Sequence, residues 1–206
     1  MVQLIASDRK SPPGSWIAFA ILAVLIFVFG PDLSHAENAT IDDVLITPAG
    51  EHLLLYCRAR NCFTEEMNRA ILSGIQTTFT FRVQFYKETR LWFDEELADL
   101  HIDHTIKYNS LKRQFVVTIG DGRSGNENIT LREFYKAKAL LTELNGIQLA
   151  PLTGLDPEAT YRLRVKAELN KVRLPFYLHY VLFFVSLWDF ETEWHEIELT
   201  YEGNPL

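Results

Sequence analysis

The chain has 206 residues, a formal net charge of -7 and 48% hydrophobic side chains. An acidic balance without a basic patch argues against nucleic acid as a partner. Two cysteines, Cys57 and Cys62, are too few for a disulfide framework, and no further ligands stand at the close spacing a zinc site needs.

The N-terminus reads as an address. Arg9 and Lys10 precede the apolar run Trp16 to Phe29, and small residues at Ser34 and Ala36 fit a signal-peptidase site with cleavage before Glu37. As a helix, a run of this length spans roughly 21 Å, short of the ~30 Å hydrocarbon core. Residues 1–36 are therefore expected to be an export signal, with an uncleaved membrane anchor as the alternative. On either reading the rest of the chain lies outside the cytoplasm. That remainder, residues 37–206, is long enough for one domain with a real core. It shows no internal repeat, low-complexity tract or Pro/Ser-rich linker. The leader contributes Asp8, Asp32, Arg9 and Lys10, so its loss leaves the net charge at -7.

The elements follow in chain order. Thr40–Thr47 and His52–Arg60 read as strands joined through Pro48-Ala49-Gly50, which is turn chemistry, so a hairpin is expected. Thr64 reads as a helix N-cap with Glu65 and Glu66 in the first turn, where the dipole favours acids. Met67, Ala70 and Ile71 share a face, and Gly74 stops the helix, expected over Thr64–Ser73. From Thr78 to Tyr86 the chain alternates cleanly: Phe79, Phe81, Val83 and Phe85 on one face, Thr78, Thr80, Arg82, Gln84 and Tyr86 on the other. After a polar break around Asp94 to Asp99, His101–Tyr108 and Gln114–Ile119 flank Asn109-Ser110 as a second hairpin. Gly120 to Asn128 reads as a loop. Thr130 and Glu133 match a capping box, opening an amphipathic helix over Leu131–Asn145. Tyr161–Leu169 alternates again, its polar face carrying Arg162, Arg164 and Lys166. Leu174 to Trp188 is almost wholly apolar, and Trp194–Tyr201 closes the chain as a strand. The pattern predicts an α+β domain: an antiparallel sheet or sandwich of about six to seven strands with two main helices. Phe79, Phe81, Val83, Phe85, Val117, Leu141, Leu163 and Val165 are expected in the core.

Taken together, Ser73-Gly74-Ile75, Thr77 to Phe85, Tyr108 to Leu111, Tyr161 to Val165, Leu174-Pro175 and Trp188 to Trp194 resemble the DUF4390 family of bacterial proteins, over nearly all of residues 37–201. The resemblance implies a bacterial envelope protein, periplasmic or anchored to the cytoplasmic membrane. Some members of the family are encoded beside sensor kinases, so the resemblance also implies the membrane surface or a membrane protein, such as a sensor kinase, as partner. The shared motifs are structural and bring no catalytic residue with them.

Candidate chemistry is sparse. Gly120-Asp121-Gly122-Arg123-Ser124-Gly125 spells G-x-G-x-x-G, but the helix after it starts too late to hold a pyrophosphate, and the loop reads as a connection. His101 and Asp103 share a strand face that His104 does not, so the three cannot converge on one ion without a bulge. Asp189, Glu191, Glu193 and His195 form a row that is simplest as a solvated strand face. Cys57 and Cys62 stand on opposite sides of an uninterrupted strand. They are two partly buried thiols, or a disulfide if a turn falls near Arg60-Asn61. No nucleophile–base arrangement is visible, so no enzyme and no cofactor are expected. The apolar segment carries Phe176, Tyr180, Phe184 and Trp188 at i+4 spacing, with Trp194 beyond. Buried, it is core; exposed, it is a binding surface for the membrane or a membrane protein. Two functions follow: a non-enzymatic adaptor that docks through this aromatic face, or a carrier holding a hydrophobic small molecule between sheet and helices.

Overall fold

A computed structural model describes residues 39–89, 93–123, 125–169 and 191–201. All of them belong to the compact unit Glu37–Leu206. The leader, residues 1–36, and the aromatic segment, residues 174–188, lie outside the described residues.

The described residues form two antiparallel sheets and two helices, the α+β architecture the alternation predicts. One sheet has three strands in the order β1 (Thr40–Ala49), β2 (His52–Arg60), β7 (Glu143–Pro151). The other has six: β6 (Asn126–Leu131), β5 (Gln114–Gly120), β4 (Glu95–Asn109), β3 (Thr77–Lys87), β8 (Thr160–Leu169) and β9 (His195–Thr200). Helix α1 spans Glu65–Leu72 and helix α2 spans Phe134–Thr142.

Strand β3 sits at the centre because its aromatic face needs cover on both sides. It pairs with β4 and with β8, Val83 opposite Val165 and Phe85 opposite Leu163. Phe79, Phe81, Val83 and Phe85 are fully buried, as are Val117, Leu141, Leu163 and Val165. Each buried Phe contributes roughly 1.5–3 kcal/mol relative to exposure. The three-stranded sheet adds Leu53, Leu55, Cys57 and Ala59 to the same core, α1 adds Met67 and Ile71, and α2 adds Ala137. Tyr161 stacks on Phe85 at 5.5 Å. Its hydroxyl donates to the Asp156 carbonyl and accepts from the Asp156 amide, so its polar end is satisfied inside the core.

The first helix is built as its sequence dictates. The Met67 amide donates to the Thr64 hydroxyl at 3.2 Å. At the other end Ile75 N–H reaches the Ala70 carbonyl and Gly74 N–H the Ile71 carbonyl, with Gly74 at φ +88°, a Schellman stop.

The expected boundaries fail in three places, and two of these add a strand each, giving nine among the described residues. The polar break before His101 is strand: β4 begins at Glu95, where Glu95 and Glu96 pair with Lys87 and Tyr86. The expected loop 120–128 closes after a few residues and continues as β6, an edge strand in unbroken register with β5, Ile129 opposite Val117. The capping box is absent. Thr130 belongs to β6, and Glu133 takes the N-cap position without a side-chain cap bond. The second helix therefore ends at Thr142, and Glu143–Pro151 forms β7 along β2. Here pairing with a neighbouring strand overrides a local helical period that Leu141 and Leu144 satisfied equally well.

Candidate functional site

Of the expected aromatic site, Phe176, Tyr180, Phe184 and Trp188 lie outside the described residues. Trp194, just before β9, is half-buried and turned onto its own sheet. Its ring lies 4.6 Å from the Arg164 guanidinium and 5.1 Å from the Lys166 ammonium. Around it the wet face of β3, β8 and β9 is a lattice of pairs. Arg82 meets Glu168 at 3.2 Å, Arg164 meets Glu196 at 2.7 Å, Arg162 pairs with Glu88 and Asp94, and Lys166 pairs with Glu191 and Glu168. The Lys166 partner lowers the Glu191 carboxyl below its ordinary value. The expected acidic row does alternate, with Glu191 and Glu193 outward and Thr192 buried, its hydroxyl accepting from the Ala167 amide. Its first described acid is committed to a lysine. Asp189 lies outside the described residues.

Both cysteines are free and buried. Asn61, at φ +56°, resets the alternation after β2, so Cys62 faces inward as Cys57 does. Burial pushes each thiol up to about 12; for Cys57 the Leu144 backbone offsets part of the rise. Neither is a nucleophile at neutral pH.

The G-x-G-x-x-G stretch is the tip of the β5–β6 hairpin. The Asp121 carboxylate accepts from the amides of Arg123 at 2.9 Å and Gly125 at 3.0 Å. Those amides, which a dinucleotide-binding loop would aim at phosphate, are occupied by the chain's own acid, and a strand follows where a helix would be required. The glycines have a steric reason. A Cβ on Gly120 would stand 2.9 Å from the Asp103 carbonyl oxygen, and one on Gly122, at φ +75°, would stand 2.7 Å from Ile102.

Between this hairpin and β7 opens a cleft of about 570 Å³, lined from β4, β5, β6, α2 and β7. A smaller recess of about 270 Å³ adjoins it beside His101 and Asp103. Arg123 stands between them and donates to the Gln148 carbonyl at 3.3 Å. His104 lines the larger cleft, 1% exposed, on the face of β4 opposite His101 and Asp103. Its ring meets Phe81 edge-on at 5.5 Å, and Nδ1 lies 3.0 Å from the Leu140 carbonyl. Burial lowers the imidazole below its ordinary value, partly offset by the carbonyls of Leu140, Gly120 and Leu141. Nε2 has no hydrogen-bond partner. Sequence reasoning held the two halves of this site without joining them. The H-x-D-H stretch and the glycine loop meet because His104 pairs with Ile119. The start of the far wall, Glu143–Asn145 of β7, reads as helix in the sequence, and the rest of that strand carries no signal of its own. Among the described residues no group of three or more His, Cys, Asp or Glu is placed to hold a metal ion, and no helix is long and apolar enough to cross a membrane.

These features define a two-sheet antiparallel α+β domain with a cleft of mixed polar and apolar lining between its β5–β6 hairpin and strand β7. The family described as "Domain of unknown function (DUF4390)" matches residues 36–198, and the chain belongs to that family. No curated protein and no solved structure matches it.

Proposed function

We propose that the chain is a non-enzymatic adaptor of the bacterial envelope, exported by its leader and engaging a membrane protein at the outer face of the cytoplasmic membrane. The leader sequence supports export. The observation that favours an adaptor over a carrier is the filling of the space between the sheets. Phe79, Phe81, Phe85, Leu55, Met67 and Ile71 are each less than 2% exposed or close to it. An apolar cargo would have to displace them, at roughly 1.5–3 kcal/mol for each side chain driven out. Buried thiols and a paired sheet face support a module that binds without reacting.

The test uses the full-length chain expressed with its own leader in a bacterium, carrying a photo-crosslinking residue at the exposed positions Glu127, Glu193 or Glu198. The expected result is a protein in the envelope fraction, beginning at Glu37 or retained by its leader, cross-linked to one membrane protein. A cytoplasmic protein overturns the reading. So does a chain without cross-links that carries an apolar molecule through native mass spectrometry, and that outcome establishes the carrier.

A further inference from the structure

We propose that the end of the domain formed by the β4–β5 turn and the β6–α2 junction docks on an anionic lipid surface, with Leu111 and Tyr135 entering the headgroup layer and the cations around them meeting lipid phosphates. This does not rest on the adaptor reading.

Among the described residues, every lysine and arginine meets a carboxylate except Lys107, Lys112, Arg113, Arg123, Arg132 and Lys138. Arg123 donates to the Gln148 carbonyl. Lys138 donates to the Asn68 side chain and lies 4.9 Å from the centres of the Phe63 and Phe134 rings. The four cations left bare, Lys107, Lys112, Arg113 and Arg132, are all exposed, and strand pairing brings them to one end of the six-stranded sheet. Asn109 pairs with Gln114, so Lys112 and Arg113 stand in the turn between them. The Lys112 amide donates to Asn109 Oδ1 at 3.0 Å and orders that turn. Leu131, the last residue of β6, lies opposite Phe115, so Arg132 leaves the sheet beside the turn. The Phe134 ring stacks on Phe115 at 5.1 Å and holds the start of α2 there. No run of the sequence is basic, because the fold gathers these cations from separate segments.

The chain is acidic overall, yet over residues 105–116 and 129–142 the one carboxylate is Glu133, which is held by Lys136 at 3.4 Å. The opposite end carries the acids. Strand β4 presents Asp103, Asp99, Glu96 and Glu95 as it runs back from Lys107, and the tip of the β5–β6 hairpin adds Asp121 and Glu127. The field of the domain therefore turns the β4–β5 end, and not the hairpin tip, towards an anionic surface.

The apolar side chains favour a bilayer over a soluble anion. Leu111, in the turn, is 96% exposed, and Tyr135, in the first turn of α2, is 66% exposed. Large apolar groups standing clear of the core beside bare cations match an interface with phosphate outside and hydrocarbon just beneath it. A soluble anion would use the cations alone and leave both side chains in water. The two clefts lie at the other end of β5, and what the turn offers is a surface.

The experiment uses the full-length chain and a thiol-reactive, polarity-sensitive dye. Cys57 and Cys62 are buried, so the dye enters at a substituted position: Ser110→Cys in the turn, or Glu127→Cys at the opposite end. The probes are vesicles of phosphatidylglycerol with phosphatidylcholine, and vesicles of phosphatidylcholine alone. The leader is common to every sample, so the dye reads where the domain itself makes contact. The dye at position 110 should shift to the blue with the anionic vesicles, stay in water with the neutral ones and return on addition of salt. The dye at position 127 should stay in water throughout. In the Ser110→Cys chain, Lys112→Gln and Arg132→Gln should each weaken the response to anionic vesicles about fivefold, and together about 25-fold. Leu111→Ser should weaken it by about fivefold or more. These positions are exposed, so the variants keep the fold. The proposal is overturned if the dye at position 110 stays in water with anionic vesicles, if neutral vesicles move it as far, or if the dye at position 127 moves with it. It is equally overturned if Lys112→Gln and Arg132→Gln bind as tightly as the unaltered chain. A single-stranded DNA oligonucleotide that displaces the vesicles overturns it in favour of nucleic acid. The adaptor reading fails on location and cross-linking, which none of these readouts uses.

Discussion

At the scale of single residues, the thiols show how a backbone angle decides chemistry. Cys57 points inward by the period of β2. Cys62 points inward only because Asn61 takes a left-handed conformation, one that asparagine tolerates better than most residues. Both sulfurs then sit in apolar surroundings, and desolvation holds each thiol up at about 12. Ellman's reagent at pH 8 should therefore leave both unmodified in the native chain and titrate both once denaturant unfolds it. Fast labelling of the folded protein would mean that the β2 end opens. The same shift fixes an alkaline limit. A folded-state value raised above the ordinary 9.0 means that the unfolded chain loses its thiol protons first as pH rises. The contribution is whole below about pH 9 and is lost progressively towards pH 12. Cys57→Ala should flatten that alkaline decline in a denaturant-midpoint series, and an unchanged slope would place the titration elsewhere.

At the scale of elements, β7 is where sequence and structure part. Strand β3 was legible because Phe79, Phe81, Val83 and Phe85 repeat every second residue over a stretch no helix could bury on one side. Helix α1 was legible because Thr64 and Gly74 are local signals that act within one turn. Neither condition holds for residues 143–151. Leu144, Ile147 and Leu149 are buried, yet their spacing breaks a period of two because the register shifts twice along β2. Gly146 sits at the irregularity opposite Leu55 and Tyr56, with φ +73°. A glycine tells only that a positive φ is required, and that is equally a helix stop or a bulge. Edge strand β6, Asn-Glu-Asn-Ile-Thr-Leu, lacked a buried face to alternate against, so its first three residues read as loop and Thr130-Leu131 as the start of a helix. The cleft, having β7 as one wall, was hidden with it. Gly146→Ala tests this backbone: at a positive φ it should destabilise by roughly 1–2 kcal/mol. A denaturant midpoint that rises on substitution would remove the bulge.

At the scale of the whole molecule, the six-stranded sheet is held together from its two faces in different ways. Inside, aromatic and aliphatic side chains close the core. Outside, Arg82, Arg162, Arg164 and Lys166 each meet carboxylates from neighbouring elements. Several of these groups are well exposed, so salt should weaken the lattice without unfolding the domain. The charged face is self-satisfied, and a partner seeking bare cations there would find them already matched.

Strands β8 and β9 have a further consequence. The chain leaves β8 after Leu169 and is back beside it at Glu191, which bridges to Glu168, while Thr192 N–H donates to the Ala167 carbonyl at 2.9 Å. Exit and re-entry are thus neighbours on β8, and the link between them can be shortened without moving either end. Replacing residues 170–190 with Asn-Gly should leave the sheet intact and, by shortening the loop that must be closed, stabilise it by about 1–2 kcal/mol. Collapse of the near-ultraviolet circular dichroism on excision would instead show that Phe176, Tyr180, Phe184 and Trp188 complete the core. If the excised chain stands, the two sheets fold without residues 170–190, and the segment is free to serve binding instead of stability.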